Sequence, residues 1–369
     1  MTAASDGRAL RVAVIGAGGI AQRHLDAIEA HPEALELVAV CDPSAAAVER
    51  TRTRFPRAAA FATVDELLDS GGFEAAVIAT PHVFHFDQAV AVVRAGIDVL
   101  VEKPVVTTTG QMRALREVAD ASGAIVVPGQ TRRYAPEVIA ARAKTLDPQV
   151  FGELQGFDIV SVQDIRSFGR STVGGVEKLH WLFDGAVAGG GVTISLAIHQ
   201  IDMLRFLTGL DYAAVMAVGR FDAPFFNGAE SQVAAALEMS NGATGTLHAD
   251  YLATRIPFAE AMTLIGERGS VTQHATRLGQ YRGPLSFATS NGQPSATFDE
   301  SFAGWAQLEG TEKVDEVQVP FTNQLLSFAE AVRNRRPDTS LVDNFNTIAA
   351  VEAIVLSARK GQKVQVEKW

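Results

Sequence analysis

The chain has 369 residues, of which 47% are hydrophobic and 20% charged, and its formal net charge is −10. It is long enough for two domains, and its negative charge argues against a nucleic-acid partner, because phosphate binding needs a basic face. A single cysteine, Cys41, excludes an intrachain disulfide and a cysteine-rich metal site. Residues 1–10 lack the apolar core of a signal peptide, and no uninterrupted apolar run approaches the roughly 18–20 residues of a membrane helix. We therefore expect a cytoplasmic protein without a membrane partner.

The apolar run Val12–Ile15 leads into three glycines, and a helix-compatible run, Ile20–Ala30, follows them. Gly16 would permit a tight turn, Gly18 would let the backbone approach a pyrophosphate, and Ala21 takes the third small position of the pattern. The helix N-terminus would supply N–H groups and a partial positive charge for the phosphates. This strand–turn–helix context predicts a dinucleotide site that includes Gly16, Gly18, Gly19 and Ile20.

A second strand, Leu37–Cys41, ends at Asp42, 24 positions after Gly18. This separation is close to the roughly 20 residues expected for the carboxylate that binds the adenosine ribose. Such a carboxylate accepts hydrogen bonds from the ribose hydroxyls and repels a 2′-phosphate, so we favour NAD over NADP. Arg52 and Arg54 lie nearby in sequence and would weaken that preference, and Asp42 could instead cap the helix that follows it.

The first third of the chain alternates short apolar strands with helical stretches, which predicts a parallel sheet with helices on both faces. The predicted strands are Val12–Ile15, Leu37–Cys41, Ala75–Ala79, Asp98–Glu102 and Ala124–Pro128. The predicted helices are Ile20–Ala30, Ala45–Phe55, Asp65–Ser70 after a Thr63 cap, Phe84–Ala95 and Thr109–Ser122 with Gly123 at its end.

The pattern changes after about residue 130, where strands follow one another with few helices between them. We expect a Rossmann dinucleotide-binding domain over residues 8–131 and a second α/β domain with a large, mostly antiparallel open sheet over residues 132–369. Asn241-Gly242 is a hairpin signal. The predicted strands are Leu154–Gln163, Ala213–Arg220, Ser231–Met239, Ala243–Tyr251 and Glu260–Ile265, and the predicted helices are Glu137–Thr145, Asn323–Arg333 and Asn344–Ser357.

Two motifs fall at predicted strand ends in the first domain, where ligands of open parallel sheets bind. Thr80-Pro81 follows one strand and precedes His85, and Glu102-Lys103-Pro104 follows the next. Pro104 disfavours a helix at Lys103, which would hold the lysine at the strand end. A lysine there can hydrogen-bond a substrate hydroxyl or take part in its proton transfer.

A third motif, GGGVTISLAIHQID, spans residues 189–202 and carries three polar side chains on a predicted helix. Ser195, His199 and Asp202 stand at positions i, i+4 and i+7, so they share one helix face. A histidine on such a face can relay protons near neutral pH. Considered alone, the segment favours a buried structural histidine that is capped by its neighbours.

Together these segments resemble the Gfo/Idh/MocA oxidoreductase family, named for glucose–fructose oxidoreductase and inositol dehydrogenase. The resemblance covers essentially the whole chain and includes the glycine turn, CDP at 41–43, TPHxxH at 80–85, EKP at 102–104, RRYAP at 132–136 and GGG…H..D at 189–202. It implies hydride transfer between nicotinamide and a carbinol carbon of a sugar, cyclitol or related polyol. It also implies a homodimer or homotetramer formed through the C-terminal sheet, and no metal is expected.

The resemblance also implies roles for individual residues. Lys103 would contact both cofactor and substrate, and His199 would be the acid/base for the hydroxyl proton. Family members with this histidine typically carry an aspartate four residues before it, where this chain has Ser195. The proton relay would therefore be altered, slower, or supplied by another acid such as Asp202 or Asp184. Thr80, Pro81, His85, Glu102 and Lys103 complete the implied cofactor-binding set, and Arg166, His180, Trp181 and Ser195 join Lys103 and His199 as candidate substrate contacts.

Two alternatives remain open. Ser195 in place of the aspartate suits a non-catalytic NAD(P)-binding sensor or regulatory protein of the same fold, although Lys103 and His199 argue against it. Some relatives use a tightly held NAD to cleave glycosides, and this reaction would show no net reduction of the cofactor.

Overall fold

The computed structural model describes residues 8–165, 170–173, 176–223, 226–252, 258–275, 286–289, 294–297, 318–336 and 340–369. The chain forms two compact units. The first runs to Thr131 and takes up the chain again over Gln318–Asn344, and the second begins at Arg132 and resumes from Phe345 to the C-terminus. The predicted boundary at residue 131 agrees with the start of the second unit, but the prediction did not include the later segment Gln318–Asn344 in the first unit.

The first unit is built on a parallel sheet with the strand order β3-β2-β1-β4-β5-β6. The order reverses beside β1, and the carboxyl ends of β1 and β4 meet at this switch point, where doubly wound sheets bind nucleotides. The strands are β1 Leu10–Ile15, β2 Leu35–Cys41, β3 Ala59–Phe61, β4 Ala75–Ile78, β5 Asp98–Glu102 and β6 Val126–Gly129. The helices are α1 Ala21–Ala30, α2 Ala45–Arg54, α3 Val64–Ser70, α4 His85–Arg94 and α5 Thr109–Ser122.

Capping side chains fix the ends of these helices. Thr63 and Glu66 form a reciprocal capping box on α3, Thr108 caps α5, and Gly123 ends α5 in the left-handed conformation. A further helix, Gln318–Asn334, contributes Leu325 and Phe328 to the apolar core of the unit. The parallel sheet with helices that was predicted for this part of the chain is therefore confirmed.

The second unit is built on a sheet with the strand order β16-β15-β14-β13-β7-β12-β11-β10-β17 among its described residues. Neighbouring strands are antiparallel, except for β7 and β12, which run parallel. The strands are β7 Leu154–Gln163, β10 Tyr212–Arg220, β11 Gln232–Met239, β12 Thr244–Asp250, β13 Phe258–Gly266, β14 Gly269–Ala275, β15 Ser286–Thr289, β16 Pro294–Thr297 and β17 Val364–Gln365, while β8 Arg170–Val173 and β9 Val176–Leu179 pair separately. The helices are α6 Pro136–Thr145, α7 Gly185–Ala188, α8 Ile198–Thr208 and Ser340–Lys360.

The two faces of this sheet differ in burial. Along β7, Phe157 and Ile159 are buried, whereas Asp158 between them is exposed. The face that Asp158 shares also carries exposed apolar side chains at Met216 and Val218 of β10 and at Ile265 of β13. This solvent-facing side of the sheet is called the open face below.

The predicted helix over the GGG motif is interrupted. Thr193–Ala197 forms a turn of π-helix, and the α-helix begins only at Ile198. Two helical stretches, Gly185–Thr208 and Leu341–Lys360, have the length and hydropathy of a membrane span, but 78% and 67% of their apolar windows are buried inside the fold. Such burial is typical of core helices.

Candidate functional site

The glycine turn after β1 leaves open space where a dinucleotide would need it. Gly16 has φ +90°, and a Cβ there would stand 2.6 Å from the backbone oxygen of Ala79 at the end of β4. Within the described chain, no atom would lie within 4 Å of a Cβ at Gly18 or Gly19, and no side chain caps α1. The bare backbone and the uncapped helix fit a pyrophosphate.

Asp42 is held in one orientation at the end of β2. Its two carboxylate oxygens accept hydrogen bonds from the backbone N–H groups of Ala17 and Ser44, each at 2.8 Å. Arg54, which the sequence placed nearby, instead bonds Asp26 at 2.8 Å and Glu29 at 2.6 Å on α1. Asp42 is thus oriented by the glycine turn itself, and Arg54 is engaged away from it.

The Thr80-Pro81 turn lies at the same sheet edge. The Thr80 hydroxyl donates to Gln88 Oε1 at 2.6 Å. His85 is fully buried, and its Nδ1 and Nε2 lie 2.7 Å from Pro104 O and 2.8 Å from Thr80 O. Burial lowers the pKa of His85. Its ring therefore joins the two strand-end turns of the first unit.

Lys103 follows β5 and is partly buried. Glu102 is buried, and its carboxylate oxygens accept hydrogen bonds from protein groups, Oε1 from His24 and Oε2 from the Lys103 N–H. Of the predicted cofactor residues, those of the glycine turn, Thr80, Pro81 and Lys103 therefore lie at one edge of the sheet. Glu102 and His85 are buried.

In the second unit, the three glycines let a neighbouring loop pack against the start of the π-helix. A Cβ at Gly191 would stand 1.8 Å from Glu230 O. Glu230 accepts from Val192 N–H through this oxygen and from Thr193 N–H through Oε1, both at 3.0 Å. Burial raises the pKa of the Glu230 carboxyl. Glu230 was not among the predicted residues, since it lies 39 positions after Gly191 in the chain.

Ser195 lies inside the π-helical turn and is 5% exposed. Burial raises the pKa of the fully buried Tyr251, and the nearby Ser195 hydroxyl acts in the opposite direction. Tyr251 stacks on Phe226 with a ring-centroid distance of 5.9 Å. A neutral serine hydroxyl therefore stands where the resemblance implies an aspartate. Tyr251 was not among the predicted residues.

The helix that carries His199 is fixed from several sides within the second unit. Arg133 donates from Nε and Nη2 to the two oxygens of Asp202, both at 2.6 Å, and Thr347 donates to Asp202 Oδ1 at 3.0 Å. Asp184 caps α7 by accepting from Ala186 N–H at 3.0 Å. Asp202 and Asp184, suggested above as alternative acids, therefore both make structural contacts.

The remaining candidate substrate residues lie before α7. His180 accepts a hydrogen bond from Leu182 N–H at 3.4 Å, and its ring centroid is 5.4 Å from that of Trp181. Burial lowers the pKa of His180. Arg166 lies outside the described residues. Where the structure describes the chain, no group of three or more His, Cys, Asp or Glu side chains could hold a metal ion.

Two family models match the chain. The model of the oxidoreductase family with an NAD-binding Rossmann fold matches residues 10–130, and the GFO/IDH/MocA C-terminal domain matches residues 141–272. An inositol 2-dehydrogenase of Rhizobium meliloti is 29% identical over 208 residues, 56% of this chain and 58% of that protein. An inositol 2-dehydrogenase of Pseudarthrobacter chlorophenolicus is 25% identical over 97% of this chain and 96% of its own length.

Solved structures share the fold over the whole chain. GenD2 from gentamicin A biosynthesis, in complex with NAD, is 27% identical with a TM-score of 0.79, and it covers 100% of this chain and 99% of its own. Levoglucosan dehydrogenase in complex with NADH and levoglucosan is 22% identical with a TM-score of 0.82, covering 98% and 100%. Together with the glycine turn and Asp42, these matches show that the chain belongs to the Gfo/Idh/MocA oxidoreductase family and binds NAD through its Rossmann domain.

Proposed function

We propose that this chain catalyses the NAD-dependent oxidation of a carbinol carbon in a sugar, cyclitol or related polyol, or the reverse reduction. The observation that carries the proposal is the position of Lys103. It follows β5 at the carboxyl edge of the sheet, the edge where the Gly16 turn follows β1. An amine at this edge is suited to bind a substrate hydroxyl beside the cofactor.

Relatives of this chain support the substrate class. They include inositol 2-dehydrogenases and a levoglucosan dehydrogenase of Pseudarthrobacter phenanthrenivorans that is 27% identical over 57% of this chain. An aromatic side chain at Trp181 suits a carbohydrate, because a flat apolar ring can stack on the face of a sugar. Arg166 and His180 would add polar contacts to its hydroxyls.

When bound, NAD supplies the hydride acceptor for the oxidation. Gly16, Gly18, Gly19 and Ile20 would hold its pyrophosphate, Asp42 its adenosine ribose, and Thr80 and Pro81 would line the site. Lys103 would hydrogen-bond the reacting hydroxyl, and His199 would accept the hydroxyl proton at a ring nitrogen. Four residues before this histidine, Ser195 would offer a neutral hydroxyl in place of a carboxylate.

Titration of the purified protein with NADH and NADPH, followed by an absorbance screen at about 340 nm across sugars and polyols, tests this proposal. We expect tighter binding of NADH and turnover of at least one cyclitol or sugar. Lys103→Met and His199→Asn should lose about a hundredfold or more in kcat while still binding NADH. Cofactor binding without turnover on any substrate would overturn the proposal.

The same screen separates the alternatives. Ser195 favours, as the second candidate, a sensor that binds NAD(P) without turnover, and Lys103→Met would then leave its cellular effect unchanged. Release of an aglycone from a glycoside with no net reduction of NAD would identify the glycoside-cleaving reaction.

We further propose that two copies of the chain associate through the open face of the second sheet. Met216, Val218 and Ile265 are 45%, 66% and 47% exposed there, and exposed apolar area of this kind is typical of an interface. Light scattering should report a dimer or tetramer, and Val218→Asp should lower the oligomeric mass. A monomeric wild-type protein would refute this proposal. The cytoplasmic location that the sequence favours remains a prediction.

A further inference from the structure

The first unit contains a buried histidine–carboxylate pair that the proposed chemistry does not use directly. His24, on α1, is fully buried, and its Nε2 lies 2.8 Å from Glu102 Oε1. Its Nδ1 has no hydrogen-bond partner among the described residues, and the ring stands edge-on to Phe321 with centroids 5.4 Å apart. This geometry makes Nε2–H the donor to the carboxylate, because an N–H at Nδ1 would be buried without an acceptor among the described residues.

The Glu102 carboxylate contacts both His24 and the backbone of Lys103. Oε1 accepts from His24, and Oε2 accepts from the Lys103 N–H at 3.2 Å. On the other side of the turn, Pro104 O lies 2.7 Å from Nδ1 of the buried His85 ring and can accept a hydrogen bond from it. Buried histidines therefore contact both chain neighbours of Lys103, His24 at the Glu102 carboxylate and His85 at Pro104 O. The Lys103 residue itself is partly exposed to solvent.

We propose that His24 is a positioning residue for Lys103, acting through Glu102 to tie the lysine turn to the helix that begins at the dinucleotide-binding glycines. This inference rests on the proposed function, since it assigns a purpose to the placement of Lys103. His24 is in the fourth position of α1, the helix that follows Gly18 and Gly19. The residues that would hold the cofactor and the amine that would bind the substrate hydroxyl thus share one rigid connection.

Loss of the His24 donor leaves a buried carboxylate with one missing partner. Glu102 would then rotate toward water or toward another donor, and the Lys103 N–H would lose its fixed acceptor. Because a displacement of about 1 Å in a reacting group can cost about a hundredfold in rate, the effect should fall on kcat rather than on cofactor binding.

The test compares His24→Leu, which removes the donor, with His24→Gln, which keeps an N–H donor. His31→Leu serves as the matched control, because His31 at the end of the same helix forms an exposed pair with Glu33 at 3.3 Å. The first readout needs no substrate. Each protein is acetylated competitively with acetic anhydride, with and without NADH, and mass spectrometry gives the rate at Lys103 relative to the other lysines.

We expect His24→Leu to change the relative rate at Lys103 several-fold, His24→Gln to restore most of the wild-type value, and His31→Leu to leave it unchanged. With a polyol substrate, kcat of His24→Leu should fall about ten- to a hundredfold, while the NADH dissociation constant stays within about twofold of wild type. If His24→Leu does not fold, His24→Asn, whose shorter amide cannot reach Glu102, takes its place.

An unchanged acetylation rate at Lys103 in a folded variant without the donor would overturn the inference, whether or not a substrate is found. If the wild-type protein oxidises no polyol but the rate at Lys103 changes as expected, the proposed function falls and the positioning role stands.

Discussion

Gly191 packs directly against the backbone of Glu230, so closely that a Cβ at residue 191 would lie 1.8 Å from the Glu230 carbonyl oxygen. This contact places Glu230 O beside Val192 N–H and Glu230 Oε1 beside Thr193 N–H. The start of the helix that carries His199 is therefore set by a glycine and a buried glutamate. The sequence suggested only that the glycines form a turn.

Gly191→Ala should destabilise the second unit by about 1–3 kcal/mol or more, because the added methyl overlaps backbone atoms that cannot move aside like a side chain. Gly156→Ala is the matched control in the same unit, since a Cβ at Gly156 would meet its nearest atom at 3.5 Å. Thermal and urea unfolding measure both. Equal stability of the two variants would contradict the packing described here.

Glu230→Gln should stabilise the protein relative to wild type by an amount that grows with pH. Burial raises the pKa of Glu230 in the folded state, so its favourable contribution is complete below the unfolded value of about 4.3 and is lost as the pH rises through the folded pKa. Glutamine keeps the acceptor for Thr193 N–H and does not titrate.

The free energy of unfolding of Glu230→Gln and wild type, measured from about pH 4 to pH 8, checks this expectation. The exposed Glu238→Gln corrects for the loss of one carboxylate from the net charge. A difference in stability that shrinks with rising pH would have the wrong sign.

Asp202→Asn should cost roughly 3 kcal/mol or more of stability, because it leaves the Arg133 guanidinium buried without its carboxylate. The two side chains are 13% and 3% exposed. Glu238→Gln, which breaks an exposed pair with Lys363, should change stability by less than about 1 kcal/mol. Urea unfolding of both variants measures the contrast, and a loss no larger for Asp202→Asn than for Glu238→Gln would refute it.

Asp42→Ala should weaken NADH binding by about tenfold, which corresponds to roughly 1.4 kcal/mol, and should bring NADPH closer to NADH in affinity. The carboxylate is held by Ala17 and Ser44 N–H groups, so it meets a ribose without a cost for reorientation. Calorimetric titration with both cofactors gives the ratio, and Asp42→Asn keeps an acceptor for Ala17 as the control. An unchanged ratio would argue against the role of Asp42.

Local signals predicted the first unit in detail. Asp98–Glu102 and Thr109–Ser122 have the predicted bounds, because buried parallel strands are continuous apolar runs and helix caps have clear residue preferences. The strand Ala59–Phe61 was missed, since its three residues are at the sheet edge and are not buried. The late helix Gln318–Asn334 could not be assigned to the first unit, because only tertiary packing brings it there.

Only the parts of the candidate site that lie in short sequence motifs were predicted. The glycine turn and the place of Lys103 follow from residues adjacent in the chain. The π-helical turn around Ser195 was wrongly predicted as regular α-helix, since the i, i+4 pattern does not distinguish the two. His24, Glu230 and Tyr251 act through contacts between residues far apart in sequence, and a single sequence carries no signal for such contacts.

The central claim is that a carbinol hydrogen of a polyol passes to NAD under the control of Lys103 and His199. In the most direct measurement, the protein is incubated with NAD and with myo-inositol that carries deuterium on its carbinol carbons, and deuterated sugars are tested in parallel. Mass spectrometry then gives the mass of the recovered NADH. We predict NADH that is heavier by one deuterium with the wild-type protein, and almost none with Lys103→Met or His199→Asn. Tight binding of NAD without deuterium transfer from any of these substrates would contradict the claim.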